Sequence, residues 1–245
     1  MHFSRNLPTM SQSSKHIPFS STHVFSKLIN DYLEGKGNAM DFVQYTPNVD
    51  GYKAAIEGRK KYPINRTLLF DVLTKQYSNL PQEKAVNDQI ALLKKDSTFV
   101  VTTAHQPNLF TGPLYFFYKI IHAIQLAASL KATFPEYDFV PVYYMGSEDA
   151  DLDEVGTFNL DQKKCQWVTK QTGAIGRMQV DEALLGLLKQ LESYWSILPQ
   201  GHKALEILKD AYQKGKTISE ATLSFVHAFF GSKGLLVLQP DDTAL

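Results

Sequence analysis

The chain changes rhythm near Thr98. Before it, apolar residues recur at helical spacing in short runs that Gly, Pro or Ser-Asn-Leu-Pro clusters interrupt. Residues 24–33 (VFSKLINDYL) read as a helix stopped by Gly35-Lys-Gly37, and 51–62 as another, ended by Pro63. Residues 66–77 and 82–95 follow, separated by Ser78-Asn-Leu-Pro81. In the second of these Ala85, Ile90, Leu92 and Leu93 are the apolar positions. Lys94 and Lys95 fall where a helix C-terminus favours cations. Residues 1–23 are interrupted by Ser and Pro and read as a disordered lead.

From Thr98 the period is that of a sheet and its covering helix. Thr98-Phe-Val-Val-Thr-Thr103 has the β-branched composition of a buried strand. A polar loop, His105-Gln-Pro-Asn108, leads to Gly112-Pro113, and an apolar stretch then runs to Leu130, with Pro113 expected at the first helical position. Residues 139–145 form a second strand that ends in Gly-Ser-Glu-Asp-Ala-Asp. Strand, helix and strand make a βαβ unit, parallel and with a right-handed crossover. Both polar clusters then sit beyond carboxyl ends of strands, where open α/β sheets bind ligands.

After Glu154 short strands at 157–160, 166–169 and 174–180 predict a hairpin or meander. Asp181 caps a helix through Leu198, and further helices at 203–214 and 218–230 end at Gly215 and Gly231. Residues 235–238 form a third core strand, followed by Asp241 and Asp242. A strand so near the last residue suggests a piece of a longer protein.

Composition narrows the function classes. Lys+Arg and Asp+Glu balance at 25 each, so no global charge favours nucleic acid or an anionic membrane. Between Lys131 and Lys163 there are eight acids and no Lys or Arg, which argues against a phosphate backbone docking there. Cys165 is the single cysteine, excluding an intrachain disulfide and favouring a reducing, cytoplasmic setting. No apolar run near the N-terminus resembles a secretory signal. Lys119, His122, Gln125 and Ser129 place a polar stripe on one face of the apolar helix, as expected of a helix packed on a sheet rather than a membrane span.

Two constellations carry candidate chemistry. The His105 loop with the following helix start offers backbone N–H groups and a positive dipole end, suited to a carboxylate or phosphate. His105 titrates near neutrality and can move a proton; Lys119, one turn in, can reach back to an anion. The same residues also serve as a plain βα connection. The second constellation, Ser147 to Glu154, packs five acids into seven residues; a bound amino group, cation or metal would offset their repulsion, and a solvated helix start would equally explain them. His105 with Asp149 and Asp151 is only a weak metal set, and no metal is expected. Neither a G-x-G-x-x-G nor a Walker A loop is present.

Three segments in order, TTAHQPNLFTGPLYFFYKI, PVYYMGSEDADLDEV and GLLVLQPDD, resemble the N-terminal Rossmann-like part of the bacillithiol biosynthesis cysteine-adding enzyme family. The resemblance covers residues 24–245. It implies an α/β fold, a Rossmann-like parallel sheet like that of class I synthetases and nucleotidylyltransferases. The sheet would have a helical N-terminal preface and a connecting insertion over residues 155–215, and would be incomplete within this chain. It implies a ligase joining L-cysteine to glucosaminyl-malate, with ATP or another nucleotide as the activating cofactor. A homodimer would form only through a C-terminal coiled coil absent here. Carried onto this sequence, His105, Asp149 and Asp151 are the expected catalytic residues. Gln106, Asn108, Gly112, Pro113, Tyr115, Lys119, Ser147 and Glu148 are expected to bind substrate. Ala104 stands where the family pattern has Gly, and Ala150 where it has His. Alternatives are another class I-like nucleotidyl- or acyl-transferring enzyme, or a non-catalytic remnant.

Overall fold

A computed structural model describes residues 15–110 and 112–245. They fall into two units divided between Pro63 and Ile64. Most of the expected lead, residues 1–14, lies outside the described residues, and Phe19–Thr22 form a single exposed turn, α1. The rest of the first unit is α2 (Lys27–Glu34), a 3-10 turn Gly37–Phe42, and α3 (Val49–Arg59). Ser26 caps α2 by accepting from the N–H of Ile29, and Gly35, at φ 65°, ends it in the left-handed region where a Cβ would be strained. Asn48 caps α3 in the same way through the N–H of Gly51.

The second unit opens with α4 (Arg66–Gln76) and α5 (Lys84–Leu92). The core is β1 (Thr98–His105), α6 (Leu114–Thr133) and β2 (Asp138–Met145). β1 and β2 are parallel, in register from Thr98 opposite Asp138 to His105 opposite Met145. Next come α7 (Leu152–Val155) and an antiparallel hairpin, β3 (Thr157–Leu160) with β4 (Lys163–Gln166). A 3-10 turn Ile175–Arg177, α8 (Glu182–Trp195), α9 (Gly201–Ala211) and α10 (Ile218–Phe230) lead to a final 3-10 turn and β5 (Leu236–Leu238). β5 pairs in parallel with the other side of β2, giving the order β1-β2-β5.

The burial follows from that order. β2 is central, and of its eight residues only Asp138 and Tyr144 are not fully buried, as expected of a strand covered on both faces. α6 buries Phe116, Ile120, Ala123, Ala127 and Leu130, spaced four, three, four and three apart, while Lys119, His122, Gln125 and Ser129 face out. Each large side chain so buried contributes about 1.5–3 kcal/mol. Among the described residues no helix is long and apolar enough to cross a membrane.

Several boundaries differ from the sequence reading for physical reasons. Pro113 is the N-cap of α6, in extended conformation, and its carbonyl accepts from the N–H of Phe116 at 2.9 Å; it is not the first helical residue. α5 stops at Leu92, so the lysine pair lies beyond it. Lys94 packs over the Phe70 ring at 3.5 Å, and Lys95 reaches Asp138 at 3.4 Å. The second hairpin strand is Lys163–Gln166 rather than 166–169, because the turn is Asp161-Gln162 with Asp161 at φ 55°. Residues 174–180 form the 3-10 turn and one bridge, Gln179 with Thr217. α9 begins and ends earlier than the expected 203–214.

The outer edge of β5 is closed by side chains of α4 and its C-cap. Tyr77 Oη accepts from the buried N–H of Val237 at 2.6 Å. The Gln76 amide both accepts from the N–H of Gln239 (3.1 Å) and donates to its carbonyl (2.9 Å), as a neighbouring strand would. Tyr77→Phe therefore leaves a buried N–H without an acceptor. Its expected cost is about 1–3 kcal/mol, measured as a lowered urea midpoint at unchanged m-value.

Candidate active site

The carboxyl end of β1 is fixed by β2. His105 is the last residue of β1, and its carbonyl accepts from the N–H of Gly146 (2.9 Å) and from the hydroxyl of Tyr143 (3.0 Å). The Tyr143 hydroxyl also donates to Gln106 O at 3.3 Å. Both lone pairs of the His105 carbonyl are thereby used. The backbone leaves the strand in one direction, with the His105 ring projecting at the end of the sheet.

That ring is held from both sides. Asn108 Nδ2 donates to Gln106 O (3.3 Å) and lies 3.0 Å from His105 Nδ1. Since the amide nitrogen can only donate, Nδ1 is the acceptor and the ring proton sits on Nε2. Nε2 then donates to Tyr115 Oη at 3.0 Å, and the two rings stack with centroids 5.3 Å apart. Burial lowers the His105 pKa below its ordinary value; nearby Lys119 lowers it further, against the Gln106 carbonyl and Glu154. His105 is a neutral, oriented imidazole at pH 7. In this arrangement Tyr115, half exposed, accepts from His105 and keeps its own proton free to donate.

Gly112 makes the turn into α6. Its φ is 60°, and a Cβ there would lie 2.9 Å from Asn108 Cβ, so the loop needs glycine both for its backbone and for the approach of Asn108. Phe110, also at positive φ (55°), is held by the Tyr212 hydroxyl, which accepts its buried N–H at 2.8 Å. Lys119 does not reach across the mouth of α6. Its ammonium donates to the Ala104 carbonyl at 2.5 Å.

The second loop meets the first directly. Gln106 Nε2 donates to Asp149 Oδ2 at 2.8 Å, while Asp149 Oδ1 accepts from the N–H of Asp151 (3.3 Å). Asp151 is the N-cap of α7, accepting from the N–H of Glu154 at 3.1 Å. The 3-10 turn clamps the loop: Ile175 N–H donates to Asp149 O (2.7 Å) and Gly176 N–H to Ser147 O (2.9 Å). Gly176 has no room for a Cβ, which would lie 2.5 Å from Ser147 Cβ. Ser147 is thus wholly buried, while Glu148, Asp149 and Asp151 stand exposed at the sheet edge. At the end of β5, Arg177 donates bidentately to Asp241, both bonds 2.6 Å.

The structure therefore brings His105, Gln106, Asn108, Tyr115 and Asp149 into one hydrogen-bonded set, with Glu148 and Asp151 beside it. Among the described residues no group of three or more His, Cys, Asp or Glu is placed to hold a metal. Of the two departures from the family pattern, Ala104 lies in regular β1 opposite Tyr144 without a positive φ, so the fold does not require glycine there. Ala150 is exposed in the acidic loop and leaves that position without a titratable group. The sequence reading missed Tyr143 and Tyr212. The available signal was a tyrosine in each apolar run, whose buried hydroxyl must find a partner.

A family model described as "Bacillithiol biosynthesis BshC, N-terminal Rossmann-like domain" matches residues 12–245. Among curated proteins, a relative from Flavobacterium psychrophilum is 36% identical over 94% of this chain and 44% of its own length. One from Cytophaga hutchinsonii is 38% identical over 95% of this chain and 42% of its own. One from Flavobacterium johnsoniae is 35% identical over 94% and 44%. Each of these relatives is named, by inference, a cysteine ligase, BshC. The chain spans less than half the length of the relatives it matches.

Protonating His105 in the folded state is disfavoured. Folding stability is therefore complete above the ordinary value of 6.5 and falls as pH drops below it toward the lowered folded-state midpoint. An NMR titration of the ring is expected to show a midpoint under 6.5, with Nε2 protonated above it. Gly112→Ala, which strains the turn by about 1–2 kcal/mol and pushes on Asn108, is expected to lower the melting temperature and return that midpoint toward the ordinary value.

Proposed function

Because the chain belongs to the BshC family through its N-terminal Rossmann-like domain, we propose that it is the N-terminal part of a ligase that adds L-cysteine to glucosaminyl-malate in bacillithiol synthesis. The observation that carries the reading is the hydrogen bond from Gln106 to Asp149, which joins the loops after β1 and β2 into one site. On one side stand proton donors: Tyr115, supported by His105, and the start of α6 behind Gly112 and Pro113. On the other stand the exposed carboxylates of Glu148, Asp149 and Asp151.

An amide bond between cysteine and a sugar amine needs three things from the protein: a place for the acyl oxygen, a place for the amine, and a destination for the amine proton. The neutral His105–Tyr115 pair supplies a directed hydroxyl proton to an acyl oxygen or carboxylate, without the penalty of a second negative charge nearby. Asp149 has lone pairs beyond those taken by Gln106 and Asp151, and can accept from the amine. As the new C–N bond forms at the activated acyl carbon, the amine proton passes to a carboxylate, and the bond from that carbon to its activating group breaks, the activating group leaving with the electron pair. Asp151, whose Oδ1 caps α7, sets the backbone of the acidic loop and adds negative potential. Ser147, buried beneath the 3-10 turn, sets the height of that loop. Residues 155–215 act as the connecting insertion over this edge.

Joining a free carboxylate to an amine in water requires activation, and ATP or another nucleotide is the agent the resemblance implies. The described residues at the mouth of α6 do not fit a triphosphate: His105 is neutral, Lys119 is bound to Ala104 O, and the facing loop is acidic. No step of the reaction is assigned to a nucleotide held by these residues.

Asp149→Asn preserves the acceptor for Gln106 but removes the charge. In the full-length gene product it is expected to lower bacillithiol formation by on the order of 100-fold or more, with unchanged circular dichroism and melting temperature. Thiol-selective mass spectrometry of the reaction is the measurement, and an undiminished product would remove Asp149 from the mechanism. Cells lacking the gene are expected to lose bacillithiol and accumulate glucosaminyl-malate; unchanged thiols would refute the reading as a whole.

A further inference from the structure

Beside the site lies a cavity of about 530 Å³ that neither the motifs nor the reaction has accounted for. Its volume falls within the range of about 300–1,000 Å³ typical of small-molecule pockets. On the side of the sheet it is lined by Asn108 and Tyr115, the two residues that hold the nitrogens of His105. Across from them the hairpin contributes Asn159 and Lys164, which are cross-strand partners. Trp195, from α8, gives an aromatic wall, and Glu154, from α7, adds one acid.

The charges are placed sparingly. Residues 132–162 contain eight acids and no Lys or Arg, so the lysines of β4 are the first cations after a long acidic stretch. Among the described residues Lys164 is the one cation lining the cavity, and its ammonium makes no ion pair or hydrogen bond. An unpaired ammonium in a cleft with side-chain amides and an aromatic wall suits a carboxylate on a hydroxylated ligand. The wall packs on the apolar face of a sugar ring, the amides bond its hydroxyls, and Glu154 provides the opposite charge for an amine.

We propose that this cavity is the acceptor pocket, holding a carboxylate-bearing amino sugar, with Lys164 binding the carboxylate and Glu154 adding negative potential for the amine that is presented to Asp149. The assignment rests on the cysteine-ligase reading above. It goes beyond that reading in locating the acceptor on the inserted hairpin, outside the motifs that carry the resemblance. Through Asn108 and Tyr115 the bound acceptor would sit next to the His105 hydrogen bonds.

The test uses the full-length protein and isothermal titration with glucosaminyl-malate and with glucosamine, which lacks the malate carboxylates. Lys164→Ala is expected to weaken glucosaminyl-malate binding by about tenfold or more and leave glucosamine binding unchanged. In steady-state assays it should raise the KM for glucosaminyl-malate by a similar factor, leave the KM for cysteine unchanged, and be rescued by Lys164→Arg. Lys164 is exposed, and an unaltered melting temperature of the variants establishes that they are folded. Wild-type affinity and KM in Lys164→Ala, with bacillithiol still formed by the parent enzyme, would overturn the pocket assignment and leave the ligase reading standing. A parent enzyme that neither binds glucosaminyl-malate nor forms bacillithiol would instead defeat the ligase reading, and the pocket with it.

Discussion

The hydroxyl of Tyr143 is the interaction on which the site depends. Tyr143 is fully buried in the central strand, and burial keeps its hydroxyl protonated far above the ordinary tyrosine range. It must therefore donate, and the acceptors within reach are the carbonyls of His105 and Gln106, where β1 ends. A buried donor without a partner costs about 1–3 kcal/mol, so the core enforces the path of the loop. With Gly146 donating to the same His105 carbonyl, the end of β1 and the end of β2 are locked to each other. Every later contact in the site inherits this geometry: Asn108 can reach Nδ1, Tyr115 can reach Nε2, and Gln106 can span to Asp149.

Much of the fold was legible because its strongest signals are local. The Asp181 cap, Gly231 after α10 and the apolar spacing of α6 are written in a few neighbouring residues, and they mark the start of α8, the end of α10 and the buried face of α6 where expected. The parallel pairing followed from strand, helix and strand in succession. What failed were features set by partners distant in sequence. Lys163 and Lys164 read as loop residues because one face of a two-stranded ribbon is free to carry charge. Trp167 looked like part of a strand, yet it is buried to place its Nε1 on Asp181 at 2.8 Å, a contact no periodicity encodes. Likewise, Gln76 and Tyr77 close the edge of a strand some 160 residues away.

At the site, composition and position identified which residues gather, but not how they divide their work. His105, Gln106, Asn108 and Asp149 were legible as two polar clusters at strand ends. Their mutual bonds depend on side-chain reach across the sheet and were not. Lys119 shows the limit most plainly. Its place one turn into α6 suggested an anion ligand, whereas the nearest acceptor is the Ala104 carbonyl on the strand that α6 covers. Asp151 and Ser147 belong to the same motif as Asp149, but one caps α7 and the other lies beneath the Ile175–Arg177 turn. Motif membership alone does not separate a group that meets substrate from one that shapes the loop.

The electrostatics of this edge decide between the kinds of ligand it can take. Five carboxylates occupy residues 148–154, and among the described residues none of them is in an ion pair. The nearby cation, Lys119, is committed to a backbone carbonyl, and His105 is kept neutral by burial and by that same lysine. A polyanion brought here would meet uncompensated repulsion on the acidic side and, on the other, neutral donors with a single cation, Lys119, whose ammonium is tied to the Ala104 carbonyl. A ligand with an amine at one end and a single carboxylate or acyl oxygen at the other is complementary to both sides at once. The two charge patterns, acids after β2 and mainly neutral donors after β1, thus suit such a ligand better than a polyanion. They also explain why a lone unpaired lysine on the hairpin matters. In so acidic a neighbourhood, a cation brought in from outside the sheet adds a second place where a carboxylate can be held.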